Sequence, residues 1–600
     1  MELKIERLAN NGKGIGKAPD GKTVFVSGAV PGDLLRVAVS ADRSRFYEAE
    51  IRGIIEPSAD RIPSDCPEQE HCGGCCFRQM TYEAELEAKT GFVRDAFRRI
   101  GGFDELPMEP ILPSPLTEAY RNKAEFAIGA DAEGKLFSGF YSEKTHRVVP
   151  VPNCRIVPED FLKISECFVN VLNLKENLLF RNKALEYSFS VPAPRHQQSC
   201  TRAASSGSKL LDCSRMIRHL VLRRSGLTGE IMLIIVFASE GFPGDKEAAE
   251  KVRELFPAVT SVILNVNPNI KGPVLGSRNR VLSGADFIRD QINAHVDSSD
   301  VAAKPTQQNC THAASLCSEQ IWDQICGVPV EVGPLSFFQV NTPAAEALYR
   351  TAAEFAQVRP EDVVLDLYCG MGTIGLSMAA NCRQLIGGEI IPEAVDSAKR
   401  NAAAMGLENT RFFCGDAAEI AETLIRENIH PTLIILDPPR KGCSPETLNA
   451  VKILDPDRIV MVSCDPATAA RDCRTLSAAG YHPSRLRPAD LFPRTRHVET
   501  CVLLSKLKTV PYIDVHLDMD ELDLTAAESK ASYQKIRDYI HKKYGFNIPN
   551  LYIAQVKRKL GLEVGVNYNL SKKNNHHVPQ CPPEKEAAII DALKHFQMLK

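Results

Sequence analysis

No stretch of this sequence stays apolar for long enough to cross a bilayer. Runs such as IMLIIVFA (231–238) fall far short of the roughly 20 residues a membrane helix needs. The N-terminus, MELKIERLANNGKG, carries charges where an export signal requires an apolar core. These two absences predict a cytoplasmic protein with no membrane partner. Net charge is also nearly absent, at −3. That excludes a generally basic nucleic-acid binder, so any anion-binding surface must be a local patch. With 44% hydrophobic and 24% charged residues, most of the chain is expected to fold. Its 600 residues are too many for one core and predict several domains.

Cysteine, by contrast, is plentiful, with 19 in the chain. In a long chain without an export signal, metal ligands, a nucleophile and buried thiols account for cysteine better than disulfides do. CPEQEHCGGC (66–75) places Cys66, Cys72 and Cys75 together as potential ligands. Cys154, in VPVPNCRI, is the expected fourth, because the β-segment before it can return to the loop. Cys76 is adjacent to Cys75 and is set to point elsewhere. Four thiolates suit zinc or an iron–sulfur cluster, and spacing alone leaves both open. Cys167, Cys382, Cys414 and Cys501 lie in apolar surroundings and read as small core residues.

Residues 1–57 alternate short strands with Pro-Gly and polar turns, which predicts a small OB-like β-barrel. Lys17, Arg43 and Arg45 fall near its loops, as in an RNA platform, although a plain β-domain fits the same pattern. Residues 58–330 hold the cysteines, then the helix YEAELEAKTGFVRDAFRRIG, then mainly strands. Two polar stretches, 195–209 and 293–320, read as surface insertions. From 331 to 507 the pattern alternates β and α, predicting a doubly wound α/β domain with a mostly parallel sheet. An acidic linker (508–529) leads to a basic helical module (530–600). There Leu551, Ile553, Val556 and Leu560 mark a second helix carrying Lys557, Arg558 and Lys559. Those charges suit either a solvated face or an RNA contact.

DLYCGMGTIG (366–375) follows the strand VVL and contains Gly370, Gly372 and Gly375 in a G-x-G-x-x-G pattern, weak by itself. Asp366 would repel a pyrophosphate but suits a cofactor with a cationic amino-acid end. Glu389, ending the next strand, is placed to bind ribose hydroxyls. S-adenosylmethionine carries both groups. ILDPPRKG (435–442) sets Asp437 at a strand end before a rigid Pro438-Pro439 wall. RIVMVSCDPATAARD (458–472) repeats the layout with Cys464, a nucleophile beside a methyl donor or else a buried strand-end thiol. In DLFPRTRHVETCVLL (490–504), His497 and Glu499 are expected to share a face of the last strand. Glu499 then serves as a base near Cys464, and Arg494 and Arg496 suit phosphates.

Taken together and in order, CPEQEHCGGC, YRNKAEF, SFFQVN, DLYCGMG, LDPPRKG, VSCDPAT and FPRTRHVET resemble the S-adenosylmethionine-dependent RNA uracil-5-methyltransferases of the TrmA and RumA type. The resemblance covers residues 1–507. It implies a class I methyltransferase domain behind an N-terminal TRAM barrel. It also implies cofactor contacts from Gln339, Tyr368, Glu389, Asp416 and Asp437, with Cys464 as nucleophile and Glu499 as proton acceptor. The RumA branch favours a [4Fe-4S] cluster on Cys66, Cys72, Cys75 and Cys154, with a structural role. Thr373 stands where some members have Asn, and Asp465 where many have Asn, which is expected to tune the site.

The implied activity is formation of 5-methyluridine in RNA, with 23S rRNA as substrate, by a monomer that does not act on DNA. A tRNA T-loop substrate is the first alternative; the cysteines and barrel favour rRNA over it. An NAD-dependent oxidoreductase would explain only the glycines. A non-catalytic RNA-binding protein would leave Cys464 and Glu499 without a purpose.

Overall fold

Short strands in which every second residue is buried build the N-terminus of the computed structural model. The strand TVFV, for example, turns Val24 and Val26 inward. The structure describes residues 1–178, 216–292, 327–506, 533–562 and 581–599, apart from single positions 144, 146, 243, 270, 561 and 597. Both expected insertions and the acidic linker fall outside them. The described residues belong to two units, Met1–Lys508 and Thr509–Lys600.

Strands β1 (Glu2–Lys4), β2 (Arg7–Leu8), β3 (Gly14–Lys17), β4 (Thr23–Val26), β5 (Leu34–Asp42) and β6 (Phe46–Glu56) form one sheet in the order β1-β5-β6-β4-β3-β2. Leu3, Ile5, Val24, Val26, Leu35 and Val37 fill its core. The cysteine loop follows, and then the helix Tyr82–Ala96, whose N-cap Thr81 accepts a bond from Ala84 N.

The central region contains β7 (Lys123–Ala130), β8 (Leu136–Tyr141), β9 (Val148–Pro150), β10 (Ile217–Arg224), β11 (Ile231–Phe237), β12 (Val259–Val266) and β13 (Arg278–Gly284), in the order β13-β12-β11-β10-β7-β8-β9. It is less purely β than its sequence suggests. Helices Glu159–Leu178 and Asp245–Leu255 supply Phe161, Ile164, Phe168, Ala248 and Val252 to the core over this sheet. The pair β14 (Ile288–Ile292) and β15 (Val328–Val332) leads into the α/β region.

That region is built on β16 (Val363–Leu367), β17 (Gln384–Glu389), β18 (Thr410–Cys414), β19 (Leu433–Leu436), β20 (Arg458–Ser463), β21 (Tyr481–Ala489) and β22 (Glu499–Lys506). The order is β18-β17-β16-β19-β20-β22-β21. The first five strands are parallel and β22 is antiparallel to β20. The doubly wound expectation is met, and fully apolar strands such as LIIL are buried on both faces. β16, β17, β19 and β20 therefore end at one edge of the sheet. β22, running the other way, begins there.

The expectation of four core cysteines needs correction. Cys382 and Cys501 are buried, but Cys414 is exposed at the end of an edge strand and Cys167 is half-exposed on its helix.

The C-terminal unit packs helices Tyr533–Tyr544, Asn550–Lys559 and Pro583–His595 around Ile536, Ile540, Ile553, Val556, Ile589 and Leu593. Leu551 is exposed and Lys557 buried, the reverse of the expected faces, while Arg558 and Lys559 are exposed. Lys559 pairs with Glu586 at 2.6 Å.

Candidate active site

The turn after β16 runs through left-handed backbone at Tyr368, Gly370 and Gly372, with φ of 67°, 55° and 82°. Glycine tolerates that conformation and tyrosine does not, so Tyr368 is held there at a cost of about 1–3 kcal/mol. The turn is fastened by Glu389: Gly370 N donates to its Oε2 at 3.0 Å and Ile391 N to its Oε1 at 3.0 Å. Tyr368 in turn donates to Thr447 Oγ1 at 3.2 Å. A narrow cleft opens beside this turn, with Phe337, Gln339, Tyr349, Asp366, Tyr368 and Asp437 on its walls.

Asp366 is buried, and its Oδ2 accepts from Gly375 N at 3.0 Å. Its Oδ1 is buried with no hydrogen-bond partner. An orphaned buried carboxylate oxygen suits a cationic group. Without one, burial pushes Asp366 up to about 8, and the charges of Asp437 and Glu389 add to it. Asp437 is pushed up to about 7 by burial. The cleft is thus lined by carboxyl groups that a cationic ligand would ionise. Asp416 is the N-cap of the helix Ala417–Arg426, accepting from Ala418 N at 2.9 Å, so one of its oxygens is committed. Exposed Ile390 and Ile391 follow Glu389.

Cys464 directly follows β20. The pair Ser463↔Thr500 places Glu499 alongside it at the start of β22. Burial pushes Glu499 up to about 8, with Asp437's charge second. Burial pushes the Cys464 thiol up to about 12, with Glu499's charge second, while Arg440 works the other way. Arg440 is exposed, and its charge is felt at Cys464, Glu499 and His497. His497 lies in the turn before β22, not on the strand. Burial, then Arg440 and Arg496, push it down to about 4, so it is neutral.

The four expected ligands, Cys66, Cys72, Cys75 and Cys154, line one cavity of about 200 Å³ together with Arg78, Arg121 and Tyr141. Cys76 is not on its wall. Among the described residues, no three Cys, His or carboxylate groups converge to hold a single ion. Burial pushes Cys75 up to about 11, against the charge of Arg78. Arg78 is itself buried and bonded to Asp65 at 2.6 Å.

The family model described as tRNA (uracil-5-)-methyltransferase matches residues 331–507, and the TRAM domain model matches residues 1–51. An uncharacterized RNA methyltransferase of Halalkalibacterium halodurans is 32% identical over 84% of this chain and 96% of its own. One from Gloeobacter violaceus is 33% identical over 84% and 96%. The chain belongs to the uracil-5 RNA methyltransferase family. It therefore methylates RNA from S-adenosylmethionine. A solved structure of the Pyrococcus abyssi tRNA (uracil-54, C5)-methyltransferase with S-adenosyl-L-homocysteine shares the fold, with TM-score 0.57 and 22% identity. That match covers 84% of this chain and all of the other.

In this family member, Gln339, Tyr368 and Asp437 line one cleft, whereas Glu389 fastens the turn beside it and Asp416 caps a helix. The structure corrects a second assignment besides that of His497. Arg494 does not project to solvent for phosphate, because its guanidinium donates to Met80 O at 3.1 Å and lies 3.6 Å from Glu85. Arg496 is exposed. Three residues at the site were not foreseen. Tyr349 is buried on the helix Thr342–Ala356, touches Gln339 and feels Asp437 and Glu499. Phe337 is 70% exposed at the cleft. Arg440 stands in the quoted motif LDPPRKG but gives no local signal beyond its charge. Among the described residues, no helix is long and apolar enough to cross a membrane.

Proposed function

We propose that this protein methylates C5 of a uridine in 23S rRNA through a covalent adduct between Cys464 and C6. The observation that carries the reading is the antiparallel pairing of β22 with β20, which sets a buried acid, Glu499, beside Cys464 at the edge where the cofactor cleft opens. S-adenosylmethionine supplies the electrophilic methyl. Uracil C5 is a poor nucleophile until the Cys464 thiolate adds to C6 and turns C5 into an enolate carbon. The new C5–methyl bond forms as the sulfonium–methyl bond breaks. Glu499 then takes the C5 proton, and the returning electron pair expels Cys464 from C6. Arg440 favours the thiolate that Glu499 opposes. Asp366, with its unpartnered oxygen, would hold the cofactor's ammonium, and Glu389 its ribose. Gln339, Tyr368, Asp416 and Asp437 complete the contacts that the family pattern assigns. Exposed Phe337 offers a stacking platform for a base taken out of its helix.

The cysteine cavity is read as the seat of a [4Fe-4S] cluster with a structural role. About 200 Å³ is room for a polyatomic group rather than one ion about 2.3 Å from each sulfur. Buried Arg78 favours the thiolate of Cys75. The tRNA T-loop remains the second reading. The Pyrococcus abyssi tRNA (uracil-54, C5)-methyltransferase aligns over its whole length with this chain, so barrel and central region do not by themselves separate the substrates.

Mapping 5-methyluridine in rRNA and tRNA of cells with and without this protein decides between them. Cys464→Ala is expected to bind RNA and transfer no methyl. Glu499→Gln is expected to methylate once and remain as an adduct stable in denaturing gels. Near-normal turnover by Cys464→Ala would refute the adduct.

A further inference from the structure

Glu499 is positioned by the turn 490–498 that joins β21 to β22. Four consecutive carbonyls of that turn each meet a donor from a different part of the chain. Leu491 O accepts from Asn341 Nδ2 at 3.0 Å. Phe492 O accepts from Lys89 Nζ at 3.1 Å. Pro493 O accepts from the Tyr120 hydroxyl at 3.0 Å. Arg494 O accepts from the backbone N–H groups of Cys76 at 2.9 Å and Phe77 at 3.2 Å, at the end of the cysteine loop. Arg494 has φ 68°, and its own N–H is held by Glu85 Oε1 at 2.7 Å.

At the centre is Lys89. Its ammonium lies 2.7 Å from both Glu85 Oε1 and Asp490 Oδ1, and all three side chains are fully buried. Asp490 also accepts from the Tyr82 hydroxyl at 2.9 Å. Surface turns are usually finished by water, whereas this one is finished by side chains on helix Tyr82–Ala96, at Tyr120 and on the cap of the helix Thr342–Ala356. A buried network with its charges paired is expensive to break and holds one geometry. A catalytic group must be held within about 0.5 Å of its productive position.

We infer that Lys89 and Tyr120 are positioning residues for the second half of the reaction. They set the approach of Glu499 to C5, and the cysteine loop shares that task through the backbone of Cys76 and Phe77. The inference rests on the reading of Glu499 as proton acceptor. Neither residue touches the cofactor cleft, so cofactor binding and the first methyl transfer should not depend on them. Adduct resolution should.

Tyr120→Phe removes one hydroxyl, and Lys89→Met removes the central charge. Both are compared with the intact protein and with Glu499→Gln for S-adenosylhomocysteine affinity, single-turnover methylation, and the fraction of folded protein held as denaturant-resistant RNA adduct. The expected result is unchanged affinity and methylation, with adduct resolution slowed roughly tenfold to a hundredfold. Simple destabilisation would lower total activity without raising the adduct fraction per folded molecule. Should Lys89→Met fail to fold, Tyr120→Phe decides. A wild-type adduct level in Tyr120→Phe, with adduct trapped by Glu499→Gln, overturns the inference. Absence of adduct in Glu499→Gln overturns the underlying reading instead.

Discussion

Replacing Asp366 with Asn tests the cofactor assignment most directly. The carboxyl is buried, one oxygen lacks a partner, and burial moves it from 3.8 to about 8. A group whose folded value is raised favours folding below its unfolded value, and that contribution fades as pH rises through the folded value. The decline here runs from about pH 4 to pH 8. At pH 7 it amounts to about 4 kcal/mol, at about 1.4 kcal/mol per pH unit. A cationic ligand beside Oδ1 restores that stability. The stabilisation by S-adenosylmethionine or its homocysteine product should therefore grow between pH 6 and 8.5 in the intact protein. Asp366→Asn keeps an acceptor for Gly375 N but cannot ionise. Free of ligand, it should melt higher than the intact protein at pH 8, by about 2–4 °C per kcal/mol for a domain of this size. It should also bind the cofactor about a hundredfold more weakly, the scale of a buried charge left without its partner. Calorimetry at several pH values, with and without S-adenosylhomocysteine, reads both effects. Unchanged affinity together with an unchanged pH profile would refute the placement of the ammonium at Asp366.

Glu499 must be ionised to accept a proton. Adduct resolution should rise with pH, be half-maximal near pH 8 and level off above about pH 9, which quenched-flow sampling of the adduct measures. Anaerobically purified protein should be brown with about four irons per chain, and Cys72→Ser or Cys154→Ser should lose the iron; stoichiometric zinc instead would overturn the cluster. A chain ending at Leu507 should methylate a minimal stem-loop at nearly the full rate, because the methyltransferase family model ends at residue 507. On a long rRNA fragment, its salt dependence should be shallower by about one logarithmic unit for each phosphate that the C-terminal unit neutralises, and identical slopes would leave that unit without an RNA role.

Several features of this protein are local and so were readable from the chain. The glycines after VVLDL are needed because the turn passes through left-handed backbone at Gly370 and Gly372. The apolar strands followed by Asp366, Glu389, Asp437 and Cys464 reflect a parallel sheet, which places its strand ends at one edge. Cys66, Cys72 and Cys75 were legible as a group from their spacing, whereas Cys154 shares their cavity only because the chain folds back to the loop. Other features depend on contacts between distant segments. Glu499 joins Cys464 because β22 runs antiparallel to β20. The raised carboxyls and the depressed His497 arise from burial, which no residue type encodes alone. Arg494 reads as a phosphate contact in FPRTRH, yet it is drawn inward by Glu85 and Met80, more than four hundred positions earlier. Cys414 reads as core and is exposed, because an apolar neighbourhood in sequence does not reveal which strand forms the sheet's edge. Motif and turn chemistry are written within a few residues. Charge, burial and catalytic distance are set only when the chain closes on itself.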